Sequence, residues 1–337
     1  MINDFKNSSE LKWIPDGFHF LGPEESKIRR SLLEKIHSFY QGKGFLEVIP
    51  PGFDFSSSFS HHISRDEQKL LLKSKDLRGE EISPSFDLTL QIVKGMTGFA
   101  MKQGSSKLYY TGRTIRDLST SKTGKREFFQ VGAEFIGHSS GNTFKKLFKY
   151  IDELQTIMME GRKVTIVLGN TGIFSEITLK MGLKKRERAY LTGLMYTKDR
   201  RAIIEFVNFK KLDTKFSQIL TEMVLDFQPE SILPGLKAWS KDLDLNILEI
   251  LEETDDLVQF TQKNSSNLDL CTDFSLVRDL DYYTGFIFHG YTDEISSPLY
   301  TGGAYDHLFE KFSGSPKNAC GFAFNLDLIE EIIRKDI

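Results

Sequence analysis

The chain has 337 residues, 39% of them hydrophobic and 27% charged, a composition typical of a soluble globular protein. This length is enough for one large domain with an insertion or for two domains. The net charge of −3 excludes a global attraction to nucleic acid. Two cysteines without a CxxC spacing argue against disulfide scaffolding and zinc binding. Because no apolar stretch resembles a signal peptide or a membrane span, the sequence predicts a cytoplasmic protein.

The N-terminal part predicts a helix, a short strand and a hairpin. The helix begins at Pro23, carries an apolar stripe at helical spacing and stops at Gly42. A strand at 45–49, a loop at 55–66 and a hairpin between 69 and 83 follow. The next helix begins after Asp87, which either contributes to a binding site or simply caps that helix.

Two strong strands are predicted at 107–115 and 128–136, followed by a helix at 143–160. Gln130 and Glu134 are four residues apart, so on a strand they share one face, with Gly132 between them. This pattern suits the floor of a ligand site, but an ordinary exposed sheet face would have the same pattern.

Residues 170–262 lack strong strand signals and predict helices interrupted at Pro229 and Pro234. We therefore expect one domain made of residues 1–169 and 266–337, and a helical insertion at 170–265. The order of helices and strands indicates an α+β fold, a mostly antiparallel sheet flanked by helices.

Residues 278–291, RDLDYYTGFIFHGY, are the stretch around which we expect a site to be organised. The aromatic and β-branched residues predict a strand with Tyr282 and Tyr283 on opposite faces. Such a strand either feeds a small-molecule pocket or is an ordinary core strand. Downstream, Gly302 and Gly303 predict a turn, and Asn325 is expected to cap a terminal helix.

Several motifs, taken in order, resemble class II aminoacyl-tRNA synthetases. GFLEVIP followed by Pro51 resembles motif 1, and Arg116 with REFFQVGAEFIG resembles motif 2. TGGAYDHL and GFAFNLDLIEEI resemble the approach to motif 3 and motif 3 itself. RDLDYYTG and FDLTLQIV are similar to two segments of histidyl-tRNA synthetases that bind histidine. The resemblance covers about residues 20–337 and implies a class II synthetase-like antiparallel sheet with a helical insertion.

The chain departs from an active synthetase at positions that matter for ATP. Leu118 stands where motif 2 has a glutamate, and Leu328 stands where motif 3 has an arginine for the ATP phosphates. Ala304 and Asp279 replace an arginine and a glycine of the family pattern. The sequence after the motif 3 match also leaves no room for an anticodon-binding domain, so we expect no tRNA partner.

The resemblance nevertheless implies a largely intact histidine site. An acid and a hydroxyl would hold the ammonium group, a glutamine and an arginine the carboxylate, and a glutamate with tyrosines the imidazole. The expected histidine-binding residues are Asp87, Thr89, Arg116, Gln130, Glu134, Arg278, Tyr282, Tyr283 and Tyr305. No catalytic residue, metal or cofactor is expected.

A retained histidine site beside an altered ATP site is similar to the ATP phosphoribosyltransferase regulatory subunits, which derive from the synthetase catalytic domain. This resemblance implies a non-catalytic partner of a short catalytic subunit, histidine as the inhibitory effector, and a homodimer within a hetero-oligomer. Two alternatives stay open: a truncated histidyl-tRNA synthetase-like enzyme that activates histidine, and a scaffold without a ligand.

Overall fold

The computed structural model describes residues 14–100, 104–117, 124–138, 140–277 and 283–335. The first elements are α1 (Pro23–Gly42), β1 (Leu46–Glu47), β2 (Phe53–Phe55), α2 (Ser56–Ser60), α3 (Arg65–Gln68), β3 (Ser74–Lys75), β4 (Glu81–Pro84) and α4 (Leu88–Ala100). They are followed by β5 (Ser106–Ile115), β6 (Glu127–Ile136), α5 (Ser140–Met159) and β7 (Val164–Asn170).

A run of helices comes next: α6 (Thr171–Lys180), α7 (Lys185–Tyr196), α8 (Arg200–Phe209), α9 (Thr214–Leu225), α10 (Pro229–Asp242) and α11 (Leu248–Asn264). The chain then returns to the sheet with β8 (Leu268–Thr272), β9 (Phe286–Thr292), β10 (Ile295–Ala304), α12 (Asp306–Ser313), β11 (Ala319–Asn325) and α13 (Leu326–Arg334).

The described strands form one eight-stranded sheet in the order β1-β5-β6-β11-β10-β9-β7-β8, and a small sheet β2-β4-β3. The predicted α+β arrangement is confirmed, and the centre of the large sheet is antiparallel. Its two edge pairs, β1 with β5 and β7 with β8, are parallel, so the sheet is mixed. Parallel pairing is possible here because long connections, including the helices between β7 and β8, allow the chain to cross over.

The two faces of the sheet have different roles. On one face, α1, α5, α11 and α13 bury an apolar core against alternate strand residues such as Tyr109, Val131 and Phe322. On the opposite face, α4 and α12 form a smaller cluster with Leu108, Tyr110 and neighbouring side chains. Side chains alternate across each strand, so the residues between the core positions face this second, less covered side.

Helices α6–α11 confirm the predicted helical character of this stretch, and they share a buried cluster that includes Ile173, Leu191 and Leu236. Proline was wrongly expected to interrupt the helices at Pro234, which lies inside α10. Loss of one backbone hydrogen bond is tolerated there because Leu233 and Leu236 beside it are buried. The division into domains at 170 and 265 stays a prediction.

Three other local predictions were wrong. The expected loop at 55–66 contains α2, because Phe59 is buried completely. Gly302 and Gly303 lie within β10 rather than in a turn. A Cβ atom at Gly302 would lie 2.4 Å from the Gly321 carbonyl oxygen, so close strand packing explains this glycine. Of the strand expected at 278–291, residues 278–282 lie outside the described residues, residues 283–285 are not in a strand, and β9 begins at Phe286.

Candidate functional site

A cleft of about 750 Å³ opens on the face of the sheet opposite the main core. Its volume lies in the range of small-molecule sites. Strands β5, β6, β10 and β11 form the floor, while α4 and the segment before α12 contribute to the walls. Residues of the expected site that line it are Asp87, Thr89, Arg116, Gln130, Tyr283 and Tyr305. The cleft therefore joins positions that are far apart in the sequence.

Glycines in the strands make room for polar side chains in the floor. Strand pairing places Tyr110 opposite Gly132, and Glu134 opposite Gly321. A Cβ atom at Gly132 would lie 2.4 Å from the Tyr110 hydroxyl, and one at Gly321 would lie 1.8 Å from Glu134 Oε2. Both side chains can therefore occupy their positions only because the facing residues have no side chain.

Glu134 is the buried polar centre of the site, with 1% of its surface exposed. The Thr89 hydroxyl donates a hydrogen bond to Oε1 at 2.7 Å, and the Tyr305 hydroxyl donates one to Oε2. Burial raises the pKa of the Glu134 carboxyl to about 8, while hydrogen bonds from Tyr305 and Thr89 oppose the shift. Near neutral pH this carboxyl is mostly protonated, so it can act as donor or acceptor towards a polar ligand.

Asp87 lies immediately before α4 and caps it. The Leu90 backbone N–H donates to Asp87 Oδ1 at 2.9 Å, which confirms the simpler of the two interpretations of this residue. The same carboxylate lines the cleft, and its negative charge also raises the pKa of Glu134. Capping the helix and facing a ligand are therefore compatible roles, and the cap fixes the carboxylate beside Thr89 in the first turn.

Arg116 follows β5 and is held against Phe86. Its Nε donates to the Phe86 carbonyl oxygen at 3.2 Å, and its guanidinium lies 4.8 Å from the centre of the Phe86 ring. Tyr283 packs its ring against the backbone of Gly303, where a Cβ atom would lie 2.6 Å from Tyr283 Cε1.

Two of the expected residues, Arg278 and Tyr282, lie outside the described residues. Every other expected residue lines the cleft or, for Glu134, contacts a residue that does. The geometry thus brings these side chains together, and their role in binding histidine stays a prediction.

Two further residues of the site were not predicted from the sequence. Tyr110 lines the cleft and is buried beside Glu134. Burial raises the pKa of the tyrosine, and the charge that Glu134 carries when it is ionised raises it further. Thr114 also lines the cleft, and its buried hydroxyl has no hydrogen-bond partner among the described residues. Residues 110, 112 and 114 of β5 share a face because side chains alternate along a strand. The same alternation, applied to the strand predicted at 107–115, could have indicated Tyr110 and Thr114.

The far end of the cleft lies at the start of α13. Leu328 lines the cleft here, with 9% of its surface exposed, and its backbone N–H donates to Asn325 Oδ1 at 3.4 Å. This bond confirms the predicted cap at Asn325. Glu294 and Glu331 contribute carboxylates to the same end, paired with Arg162 at 2.8 Å and Lys125 at 3.8 Å respectively. This end therefore offers an alkyl side chain, two ion-paired carboxylates and the ammonium group of Lys125.

Comparison with known proteins first defines the class. A family model described as histidyl-tRNA synthetase matches residues 17–329. A crystal structure described as an ATP phosphoribosyltransferase regulatory subunit/histidyl-tRNA synthetase from Bacillus halodurans superposes with a TM-score of 0.81. The two proteins are 21% identical, and the match covers 95% of this chain and 83% of the other. The fold is therefore that of the histidyl-tRNA synthetase class, as the motifs predicted.

Full-length relatives narrow this class. A protein of Leptospira interrogans named ATP phosphoribosyltransferase regulatory subunit is 40% identical over 99% of this chain and 98% of its own length. A protein of the same name from Caldanaerobacter subterraneus is 28% identical over 94% of this chain and 82% of its own length. The chain belongs to the family of ATP phosphoribosyltransferase regulatory subunits.

Proposed function

We propose that this chain is the regulatory subunit of an ATP phosphoribosyltransferase, the enzyme that joins ATP to phosphoribosyl pyrophosphate in the first step of histidine biosynthesis. Identity of 40% over nearly the full length to a protein of that name is the observation that carries the proposal. In this role the chain is needed for the activity of a short catalytic subunit and transmits inhibition by histidine. The transmission is a coupling free energy between the histidine site and the distant catalytic site.

The chemistry of the cleft supports histidine as the effector. An ammonium group suits the carboxylate of Asp87 and the hydroxyl of Thr89, and a carboxylate suits Arg116 and the amide of Gln130. The imidazole has one donor and one acceptor, which match the buried Glu134 carboxyl and the tyrosine hydroxyls around it. The Thr114 hydroxyl, which has no partner in the part of the chain that the structure describes, offers one further hydrogen bond to a ligand.

We do not expect this chain to catalyse aminoacylation on its own. Formation of an adenylate needs positive charge where the phosphoryl group reacts. The start of α13 supplies Leu328 instead, and the Asn325 amide already accepts the hydrogen bond of the Leu328 backbone N–H. Arg116 and Lys125 line the cleft and favour the alternative, a histidine-activating enzyme. Lys125, however, is paired with Glu331, and the position of Leu328 supplies no positive charge.

Exposed apolar side chains support a homodimer within the proposed assembly. Leu46 and Ile49 lie at and just after the edge strand β1, and Phe53 and Phe55 lie in β2. They are between 48% and 83% exposed, and apolar surface of this kind next to a sheet edge is typical of an interface.

The proposed role implies a cytoplasmic location and no tRNA partner. Among the helices of the described residues, none has the length and apolar composition needed to cross a membrane.

Reconstitution with the catalytic subunit of the same organism tests this function. We expect phosphoribosyl transfer only when both chains are present, and inhibition when histidine is added. Thr89→Val should weaken inhibition about tenfold or more, because a hydroxyl that contacts the site is lost, while stimulation of the catalytic subunit persists.

Thr97→Val is the matched control on the same helix, since its hydroxyl bonds only to the Lys94 carbonyl oxygen among the described contacts. Full activity of the catalytic subunit alone, or histidine-dependent exchange of pyrophosphate into ATP by this chain alone, would contradict the proposal.

A further inference from the structure

The short segment after β8 belongs structurally to both the sheet and the helices α6–α11. The Asp273 backbone N–H donates to the Leu168 carbonyl oxygen of β7 at 2.8 Å. The next residue, Phe274, is 1% exposed and is part of the buried cluster of the helices, against which Val277 also packs. Residues 273–277 are therefore positioned by the helices as well as by the sheet.

A lysine in a turn of the helical region reaches this segment. Lys198 lies in the turn between α7 and α8 with a positive φ of 53°, the left-handed conformation in which many helices end. Its Nζ is 2.6 Å from Asp273 Oδ2 and lies 4.1 Å from the centre of the Phe227 ring. The ammonium group is thus fixed by an anion and an aromatic face.

The carboxylate of Asp273 is saturated by defined partners. Its Oδ1 accepts the Ser275 backbone N–H at 2.9 Å and the Ser275 hydroxyl at 2.5 Å, while Oδ2 accepts from Lys198. Asp273 is only 7% exposed, so loss of the lysine charge would leave a mostly buried oxygen without its partner. The ion pair therefore stabilises one conformation of residues 273–277.

The sequence continues from Val277 directly into the RDLDYYTG segment, and Tyr283 of that segment lines the cleft. We propose that Lys198 is a positioning residue for the cleft: its ion pair with Asp273 couples the helices α6–α11 to residues 273–277, which lead into the RDLDYYTG segment. This inference rests on the proposed function, because it needs histidine to bind in the cleft. The helices then influence effector affinity without contacting the effector.

Calorimetric titration of variants with histidine tests the coupling. Lys198→Met keeps an unbranched apolar side chain and removes the charge that lies over Phe227. We expect histidine affinity to fall about fivefold or more, at the lower end of couplings between sites. Lys198→Arg keeps the charge and should restore most of the affinity.

The matched control is Lys180→Met, which breaks a lysine–aspartate pair of 2.7 Å whose Asp244 is 94% exposed. The histidine affinity of Lys180→Met should equal that of the wild type.

A purely structural role for Lys198 would lower the melting temperature, so melting temperature and affinity are measured on the same samples. Unchanged affinity in Lys198→Met, or an equal loss in Lys198→Arg, would overturn the inference. If Lys198→Met does not fold, Asp273→Asn replaces it. The asparagine oxygen can still accept from Ser275, while the amide nitrogen faces the lysine. An unchanged histidine affinity of Asp273→Asn would also overturn the inference. Failure of the wild-type chain to bind histidine would instead refute the proposed function, and the coupling with it.

Discussion

Replacement of the buried Glu134 by glutamine should make the stability of the protein less dependent on pH. The pKa of this carboxyl is about 8 in the folded protein, compared with an ordinary value of 4.5. Between these two pH values the folded state holds a proton that the unfolded state has released. The free energy of unfolding therefore falls as the pH rises from 4.5 to 8. Each pH unit inside this window lowers the free energy of unfolding by about 1.4 kcal/mol. From pH 6 to pH 8 the wild type should therefore lose about 2 kcal/mol that Glu134→Gln does not lose.

Urea unfolding followed by circular dichroism at pH 6 and pH 8 measures this difference. The other titrating groups are present in both proteins, so their contributions cancel when the two changes in unfolding free energy are subtracted. An equal pH dependence of the two proteins would refute the reasoning, and so would a wild type that gains stability relative to the variant at pH 8. An equal pH dependence would mean that the Glu134 carboxyl is already ionised at pH 6 in the folded state.

Three further substitutions test the packing and the assembly. Gly321→Ala should destabilise the protein by about 3 kcal/mol, because the new Cβ atom overlaps a buried carboxyl, whereas Gly193→Ala on an open helix surface should be neutral or stabilising in the same urea assay. Arg29→Met should cost about 3–5 kcal/mol in thermal or urea unfolding, because it leaves Glu330, whose side chain is 3% exposed, without its 2.6 Å partner; a loss below about 1 kcal/mol would contradict this. Ile49→Glu should convert a dimer to a monomer in light scattering after size-exclusion chromatography, and a monomeric wild type would refute the proposed interface.

Local patterns in the sequence predicted two features of the cleft geometry correctly. Alternation along β6 placed Gln130 and Glu134 on one face, and the structure adds that Gly132 between them leaves room for the Tyr110 hydroxyl. Asn325 was expected to cap the terminal helix and does so. These features depend on neighbours in sequence or on the period of a strand, and both can be read from one segment.

Features that depend on distant pairing could not be predicted in the same way. The Tyr305 hydroxyl reaches Glu134 across 171 positions of sequence, and this contact is set by the pairing of β11 with β6 and β10. Gly303 was assigned to a turn because the residues that pack over it, such as Tyr283, are not its sequence neighbours. The parallel edge pairs of the sheet likewise depend on long connections rather than on local composition.

Calorimetric titration of the purified chain tests most directly whether it is a histidine sensor built on a synthetase fold. Histidine and ATP are titrated separately into the wild type, and exchange of pyrophosphate into ATP is measured on the same sample. We expect that histidine binds, that ATP does not, and that no exchange occurs. Binding of ATP together with histidine-dependent exchange would contradict this expectation and identify a histidine-activating enzyme.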